Sequence, residues 1–213
     1  MNIILNAPSG GGKGSVAEKL VKDYNLCHIS TGALFRENIK NKTPLGIKAE
    51  SYVAKGVWVP DELTVDMLVA AMKDLPCAGG FILDGFPRTL KQAELLEKYV
   101  DVSMVIQLDV ADDIVMKRLA GRFMCRHCGA IYNSNWDDVS GCCKACGGEL
   151  YQREDDKTDV IKQRISNYNR DNGAILEFYK NKNLLHTVKV KEEYLPADTY
   201  AFVKEIIEKE GKK

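Results

Sequence analysis

The chain has 213 residues, which is enough for one hydrophobic core with a small insert but short for two full domains. Thirty Lys and Arg residues balance thirty Asp and Glu residues, so no net charge recruits a nucleic acid or an acidic membrane surface. The sequence has no apolar run of membrane-spanning length and no secretory signal pattern at its start, so we expect a cytoplasmic protein and a monomer.

The first predicted element is a buried strand, residues 2–5, that leads into a glycine-rich turn and a lysine. A helix is predicted directly after the turn, over 13–24. Converging backbone N–H groups, the positive end of that helix and Lys13 predict a cradle for a polyphosphate. The strict phosphate-loop pattern is missed twice, because Ala7 replaces its first glycine and Gly14 follows the lysine where Ser or Thr is usual. An ordinary strand–turn–helix with flexible glycines is the alternative.

Strand and helix patterns alternate along most of the chain. Apolar runs predict strands at 2–5, 26–29, 80–83, 104–108 and 184–190. Helical patterns cover 13–24, 32–40, 45–55, 61–73, 89–99, 112–120, 158–179 and 198–210. This alternation predicts an α/β fold with a five-stranded parallel sheet and helices on both faces. Ligands bind beyond the carboxyl ends of such strands, so the first three strand ends are expected to face one crevice.

The alternation breaks between residues 121 and 158. Two Cys-x-x-Cys pairs lie there with fourteen residues between them, and they offer four thiolates for one tetrahedral zinc ion: Cys125, Cys128, Cys143 and Cys146. Closed four-sulfur coordination leaves no open position, so the expected zinc is structural. The polar insert could not fold on its own, and a bound metal would supply the missing stability. A Cys/His site that uses His127 is a minor alternative.

The remaining cysteines have other interpretations. Disulfides are not expected in a reducing compartment, so we expect Cys27 and Cys77 to pack as small apolar residues. Cys142 competes with Cys143 as a ligand, but only Cys143 has the two-residue spacing to Cys146. A zinc ribbon that binds nucleic acid would be basic and aromatic, whereas residues 122–158 carry many acidic residues, so we expect a mobile lid and no nucleic-acid partner.

Several strings occur in an order that resembles the adenylate kinases. They are Ala7 to Ser15, Ser30 to Arg36, Asp84 to Thr89 with Gln92, Gly121-Arg122, and Arg153-Glu154-Asp155-Asp156 followed by Arg164. The resemblance covers nearly the whole chain and is similar to the bacterial type with a long, zinc-bearing lid. It implies a P-loop NTPase-type core (1–29, 60–121 and 159–213), an AMP-binding insert (30–59) and a zinc lid (122–158), with both inserts mobile.

The same resemblance implies phosphoryl transfer between ATP and AMP, with Mg²⁺, to give two ADP. It assigns the ATP side to Gly10, Gly11, Gly12, Lys13, Gly14, Ser15, Arg118, Arg122, Ile131 and Tyr132. It assigns the AMP side to Thr31, Arg36, Val57, Trp58, Val59, Gly85, Phe86, Pro87, Arg88, Gln92, Arg153 and Arg164. The implied catalytic group is Lys13, Asp84, Arg88, Arg122, Arg153 and Arg164, with Asp84 organising Mg²⁺ through water. Six of the eight arginines thus fall on family positions; of the other two, Arg170 is expected to be solvated.

Some of these assignments have plainer alternatives. Gln92 stands where a capping box for the helix that follows Thr89 would place it. Trp58 would wedge the AMP insert against the core, and Asp84 would cap the segment that follows it. Ala33 stands where the family has an acidic residue, and residues 189–193 lack a glycine near the donor adenine. Another nucleoside monophosphate kinase, or a donor such as GTP, therefore remains an alternative.

Overall fold

The computed structural model describes residues 1–73, 77 and 79–211. Five parallel strands form the central sheet in the order β2-β3-β1-β4-β8. The strands are β1 (Ile3–Asn6), β2 (Cys27–Ser30), β3 (Phe81–Asp84), β4 (Met104–Val110) and β8 (Leu185–Val190). All five agree with the predicted strands to within one or two residues, and the predicted α/β fold is confirmed.

Eight α-helices alternate with these strands in the described residues. They are α1 (Lys13–Tyr24), α2 (Thr31–Lys40), α3 (Pro44–Ala54), α4 (Asp61–Lys73), α5 (Leu90–Leu96), α6 (Asp112–Ala120), α7 (Thr158–Asn181) and α8 (Pro196–Glu210). All were predicted, although α5 ends three residues before the predicted end at residue 99. Its final residues, 97–99, form turns whose N–H groups bond back to Ala93, Leu95 and Leu96.

Alternating side chains of the central strands build the core on both faces of the sheet. Ile3 and Leu5 of β1 pack into one apolar cluster with α1, α6 and α8, whereas Ile4 packs into a second cluster with α4, α5 and α7. All three side chains are fully buried. This two-sided burial is typical of a parallel sheet and explains why the strands are continuously apolar.

A second, smaller sheet lies within the predicted lid. Its antiparallel strands are β5 (Arg122–Cys125), β6 (Ile131–Asn133) and β7 (Leu150–Tyr151), in the order β6-β5-β7. Amide side chains from this region donate to the last carbonyls of α6: Asn133 to Arg118 O, Asn135 to Lys117 O and Gln152 to Ala120 O. These bonds satisfy helix-end carbonyls that have no partner within the helix, and they join the small sheet to the core.

The expectation for two cysteines was wrong. Cys27 and Cys77 form a disulfide, with their Cα atoms 5.5 Å apart. The loop before β3 returns to the start of β2, where Cys27 N donates to Gly80 O, and this contact brings together two residues that are 50 positions apart. Free-thiol packing was inferred from an assumed compartment, and the sequence alone offered no view of that approach.

The predicted core ranges also include residues 74–76, 78, 212 and 213, which lie outside the described residues. Among the helices that are described, none is both long enough and apolar enough to cross a membrane.

Candidate active site and metal site

The glycine turn wraps around the ammonium group of Lys13. Gly10 and Gly12 have φ values of 81° and 92°, a region that glycine enters without strain. Lys13 Nζ donates to the carbonyls of Ala7 and Pro8, each at 2.9 Å. Burial lowers the pKa of Lys13 to about 8, against the opposing charge of Asp84. The turn therefore holds a buried cation beside free amides, as a phosphate site requires.

Asp84 stands at the end of β3, next to this turn. Its carboxylate lies 3.9 Å from Lys13 Nζ and 3.2 Å from His28 Nε2. Burial works to raise the pKa of Asp84, but the His28 hydrogen bond and the charge of Lys13 lower it below its ordinary value. Asp84 is thus an anion at a strand end beside a phosphate loop, and its side chain contacts no helix N–H group in the described chain.

A cavity of about 590 Å³ opens between α2, the segment 53–59 and the loop after β3. It brings together nine of the twelve residues predicted for AMP, which are Thr31, Arg36, Val57, Trp58, Val59, Gly85, Arg88, Gln92 and Arg164, and it adds Asp155. Phe86 and Pro87 are buried and line an adjoining cavity with Lys13. Most residues of the acceptor-side prediction thus line two adjoining cavities, Arg153 lines neither, and their contact with AMP stays a prediction.

Arg88 is fixed from two directions at the floor of this crevice. Its Nε donates to Gly85 O at 2.7 Å, and its guanidinium lies over the Trp58 ring, 4.6 Å from the centroid. Thr31 Oγ1 donates to the same carbonyl at 2.9 Å. Burial is the main reason that the pKa of Arg88 falls to about 10, and the nearby Arg164 lowers it further. A buried cation with a free edge is suited to an anionic ligand.

The amide of Gln92 is used within the protein. Its Oε1 accepts from Arg88 N and its Nε2 donates to Asp61 Oδ1, both at 2.8 Å, while Thr89 Oγ1 accepts from Gln92 N. The side chain thus helps to start α5, as the capping alternative predicts, although it bonds Arg88 N rather than the N-cap N–H. It also lines the crevice, so a contact with a base stays a prediction.

Asp155 and Asp156 bind two of the predicted arginines, Arg122 and Arg164. Arg122 donates from Nε and Nη2 to both oxygens of Asp156, at 2.7 and 2.5 Å. Arg164 Nη1 donates to Asp155 Oδ2 at 2.9 Å and to Asp156 Oδ1 at 3.4 Å. Asp156 has a side chain with no solvent exposure, so its charge is balanced almost entirely by these two guanidinium groups.

Arg164 also contacts the glycine turn. Ser9 Oγ accepts from its Nη2 at 2.8 Å and from its Nε at 3.2 Å. This links α7 to the phosphate loop across 155 sequence positions. The Arg164 guanidinium, which the resemblance assigns to the AMP side and to the catalytic group, therefore lies at the mouth of the loop.

The other predicted arginines approach from separate elements. Burial lowers the pKa of Arg153 to about 9, with Arg122 and Arg36 as the next contributors. Burial also lowers the pKa of Arg36, opposed by the charge of Asp155. Arg118 donates to Tyr194 O at 3.4 Å, on the segment after β8. Arg36 and Arg153 thus lie close enough to Arg122 and Asp155 for their charges to interact, whereas Arg118 contacts the segment after β8.

The four predicted metal ligands meet at one point. The Sγ atoms of Cys125, Cys128, Cys143 and Cys146 all lie within 4.8 Å of one another, with two pairs at 3.5 Å. Tetrahedral zinc with Zn–S bonds of about 2.3 Å needs S–S separations of about 3.8 Å, so the donor set fits a metal of this kind. Cys142 is exposed and outside the cluster.

Ile131 and Tyr132, which the resemblance assigns to the ATP side, lie on β6. Tyr132 directs its hydroxyl to Cys143 Sγ at 3.3 Å, and this hydrogen bond is the main cause that lowers the pKa of Cys143 to about 6. The side chain of Ile131 is exposed. Tyr132 therefore contacts the cysteine cluster, and its contact with a base stays a prediction.

Several residues of the site were not assigned from the sequence. Ser9, His28, Asp155, Asp156 and Asp171 all contact a predicted site residue. Asp155 and Asp156 had a local signal, because they follow Arg153 within a quoted string, and Ser9 lies within the quoted string from Ala7 to Ser15. The others depend on contacts between distant parts of the chain, for which the sequence holds no local pattern.

Comparison with known proteins agrees with this geometry. The family model for adenylate kinase matches residues 4–184. A protein of Lactobacillus gasseri named adenylate kinase is 43% identical over 218 positions, which cover 99% of this chain and all of that protein. Adenylate kinases of Lactobacillus delbrueckii and Enterococcus faecalis are each 44% identical, over 99% and 98% of this chain and 100% and 99% of their own lengths.

These matches cover nearly the whole chain. They confirm the predicted resemblance, the phosphotransferase class and the adenylate kinase function. The cysteine cluster is consistent with the long-lid, metal-bearing type. The chain belongs to the adenylate kinase family.

Proposed function

We propose that this chain transfers the terminal phosphoryl group of ATP directly to AMP, reversibly, to give two ADP. The observation that carries the proposal is a group of buried cations around one crevice, formed by Lys13, Arg88 and Arg164. Burial is the main cause that lowers the pKa of Lys13, and the positive charges of Arg88 and Arg164 lower it further. Asp84, Asp155 and Asp156 balance part of this charge, but no carboxylate bonds to Arg88 among the described residues, and such cations are costly to bury without enough anionic partners. Nucleotide phosphates are anions of the required size and charge.

The donor and acceptor sides follow from the positions of these residues. The glycine turn with Lys13 binds the ATP phosphates, and Arg118 with Arg122 adds charge from the end of α6. Arg88 and Arg36 hold the AMP phosphate in the cavity beneath α2. Arg153 and Arg164 would bridge the phosphates of the two sides, where the transferring group would pass.

Catalysis requires no general base in this arrangement. The second pKa of a phosphate monoester is about 6, so the attacking oxygen of AMP is already mostly deprotonated at neutral pH. The protein then contributes alignment of the two phosphates, neutralisation of their charge and exclusion of water. Fixed guanidinium groups supply the first two contributions.

Two metals fit the described residues. Asp84, through water, and Ser15 of α1 would hold Mg²⁺, which would neutralise charge on the ATP phosphates. Zn²⁺ would fill the cluster of four cysteines and stabilise the lid, because a small polar sheet has little apolar surface of its own to bury.

Closure of the inserts explains how water is kept from the transferring group. Residues 30–59 and 122–158 are proposed as the moving AMP insert and lid on the remaining core. Support comes from Arg36 of the AMP insert, whose pKa is influenced by Asp155 and Tyr151 of the lid. Gly56, Pro60 and Gly121 lie at the borders, where hinge changes would be absorbed. A cytoplasmic location and a monomeric state remain predictions from composition.

The direct test is a coupled assay of ADP formation, with ATP and Mg²⁺ supplied alone and with each of AMP, GMP, CMP and UMP. We expect rapid turnover with AMP and little with the other monophosphates or without an acceptor. GTP in place of ATP tests the donor side. Faster turnover with another monophosphate, or hydrolysis of ATP without an acceptor, would overturn the proposal.

A further inference from the structure

Trp58 lies at the border of the AMP insert, between α3 and α4, and its ring covers the face of the Arg88 guanidinium at 4.6 Å. Cations over tryptophan faces are stabilised, most strongly when they have lost water. Arg88 uses Nε for Gly85 O, and its two Nη atoms bond to no other described residue. The ring and the carbonyl therefore orient the guanidinium and leave its outer edge available to a ligand.

The Trp58 ring is itself held by the core helix α7. Its Nε1 donates to Asp171 Oδ2 at 2.8 Å, across 113 sequence positions. Asp171 is fixed in turn by Arg170, which donates from Nε and Nη2 to its two oxygens at 2.8 and 2.6 Å. Arg170 was expected to be an ordinary solvated residue. Its guanidinium is exposed, but it orients the acceptor of the indole N–H.

The segment around Trp58 contacts a single stripe of α7. Asn167, which lies one helical turn before Asp171, donates from Nδ2 to Gly56 O at 3.0 Å. A Cβ added at Gly56, whose φ is 66°, would lie 2.8 Å from Val160 Cγ1 and 3.0 Å from Arg164 Cγ. Positions 160, 164, 167 and 171 follow the spacing of one helix face. The AMP insert thus rests against the helix that also carries Arg164.

We propose that Trp58 and Asp171 are a positioning pair for Arg88, which hold its guanidinium ready for the acceptor phosphate only while segment 56–60 is docked on α7. The inference rests on the proposed function, because it takes the acceptor to be a nucleoside monophosphate bound by Arg88. The pair acts through Arg88 and touches no reacting atom. The pair therefore couples closure of the AMP insert to the orientation of the Arg88 guanidinium, so that both occur together.

The physical consequence is selective for the acceptor. Without the indole N–H bond the ring is free to rotate away, and Arg88 loses the surface that fixes its plane. The binding of AMP then has to order the guanidinium, which weakens AMP binding. ATP is proposed to bind at the glycine turn, to which neither Trp58 nor Asp171 is hydrogen-bonded among the described residues, so donor binding is expected to stay the same.

The test uses full-length protein that carries Trp136→Phe, so that Trp58 is the only one of two tryptophans left as a fluorophore. In this background we compare Trp58→Phe, which keeps a ring but loses the N–H, with Asp171→Ala and with the double variant. Asp171→Asn keeps an acceptor oxygen and serves as the conservative rescue. Glu177→Gln removes an exposed charge from the same helix and is the matched control.

We expect each single variant to raise the KM for AMP about fivefold to tenfold, less than the full effect of a hydrogen bond to a carboxylate because the pair acts only through Arg88, with the KM for ATP within about twofold. Because the two residues act as a pair, the double variant should raise the KM for AMP no more than the single variant with the larger effect. Asp171→Asn should recover most of the loss, and Glu177→Gln should behave as its parent. Equal changes in both KM values, multiplicative effects in the double variant, or an unchanged KM for AMP would overturn the inference.

Equilibrium binding separates this inference from the proposed function. AMP binding is followed by the emission of Trp58, without ATP and therefore without turnover. A dissociation constant that rises about fivefold in Asp171→Ala supports the positioning pair, and an unchanged constant refutes it. Failure of the proposed function would appear instead as absent phosphoryl transfer in the parent protein.

Discussion

The buried carboxylate of Asp156 offers a quantitative test of how the cationic site is held together. Its side chain is fully buried, and it accepts three contacts from Arg122 and Arg164, whose side chains are only 14% and 11% exposed. Breaking a buried ion pair costs about 3–5 kcal/mol, because the remaining charge is left without a partner. Asp156→Asn keeps one acceptor oxygen, so we expect a loss of about 2–4 kcal/mol in the free energy of unfolding.

That loss corresponds to a fall in Tm of about 5–12 °C for a chain of this length. Thermal unfolding followed by circular dichroism measures it. Glu154→Gln is the control, since it removes a neighbouring negative charge that is 82% exposed and is paired only with Lys157 among the described residues, where a surface pair contributes at most about 1 kcal/mol. A Tm for Asp156→Asn within a degree or two of the control would refute the reasoning that Asp156 compensates the buried arginines.

Four other expectations follow from the same structure. Arg88→Lys should lower turnover about 100-fold, because an ammonium cannot make the forked phosphate contact, while Tm stays near the parent value; near-normal turnover in the coupled assay would contradict this. Metal analysis should find about one zinc per chain. Chelation of the metal should unfold the lid before the core, which limited proteolysis would detect as early cleavage within 122–158. Unchanged thermal melting after complete metal removal would exclude a structural metal. Lys13 has a pKa of about 8 in the folded chain and an ordinary pKa of 10.5, so the unfolded state binds the proton of this side chain more tightly. This difference destabilises the folded state. The destabilisation is fully present below pH 8 and fades as the pH rises towards 10.5. The free energy of unfolding in urea should therefore rise by about 2 kcal/mol from pH 8 to pH 10 relative to Lys13→Met, and parallel curves for the two proteins would show that Lys13 is not destabilised. Denatured, metal-free protein kept without reductant should titrate five thiols, while seven would show that Cys27 and Cys77 are not joined.

Local patterns were sufficient to predict the scaffold of this protein. Continuous apolar runs separated by amphipathic segments identified all five strands of the central sheet, because burial on both faces of a parallel sheet leaves a clear record in the sequence. The phosphate turn and the cysteine pairs were equally accessible. In both, the functional residues lie a few positions apart, so their spacing in the sequence indicates directly how they are arranged in space.

The contacts that support the site were not accessible in this way. Ser9 and Arg164 are 155 positions apart, and Trp58 and Asp171 are 113 apart, so neither pair has a local pattern. Docking of the AMP insert on α7 creates the second pair, and packing of α7 against the phosphate turn creates the first. Serine and aspartate are also common on surfaces, which makes them uninformative until a partner is known.

The disulfide shows a different kind of limit. The spacing of Cys27 and Cys77 carries no information, and the expectation of free thiols came from an assumed compartment. The structure places them together because the parallel register of β2 and β3 brings the start of β2 to the loop before β3. Sheet topology, which the alternation of strands and helices does not specify, decided the outcome.

Direct transfer between two bound nucleotides is the central claim, and the fate of an isotopic label tests it most directly. ATP labelled in its γ-phosphoryl group is incubated with AMP, Mg²⁺ and the purified protein, and the labelled products are separated. Direct transfer predicts that two ADP form for each ATP consumed, with the label in ADP formed from AMP and none in inorganic phosphate. Label released as inorganic phosphate, at a rate that does not depend on AMP, would contradict the account.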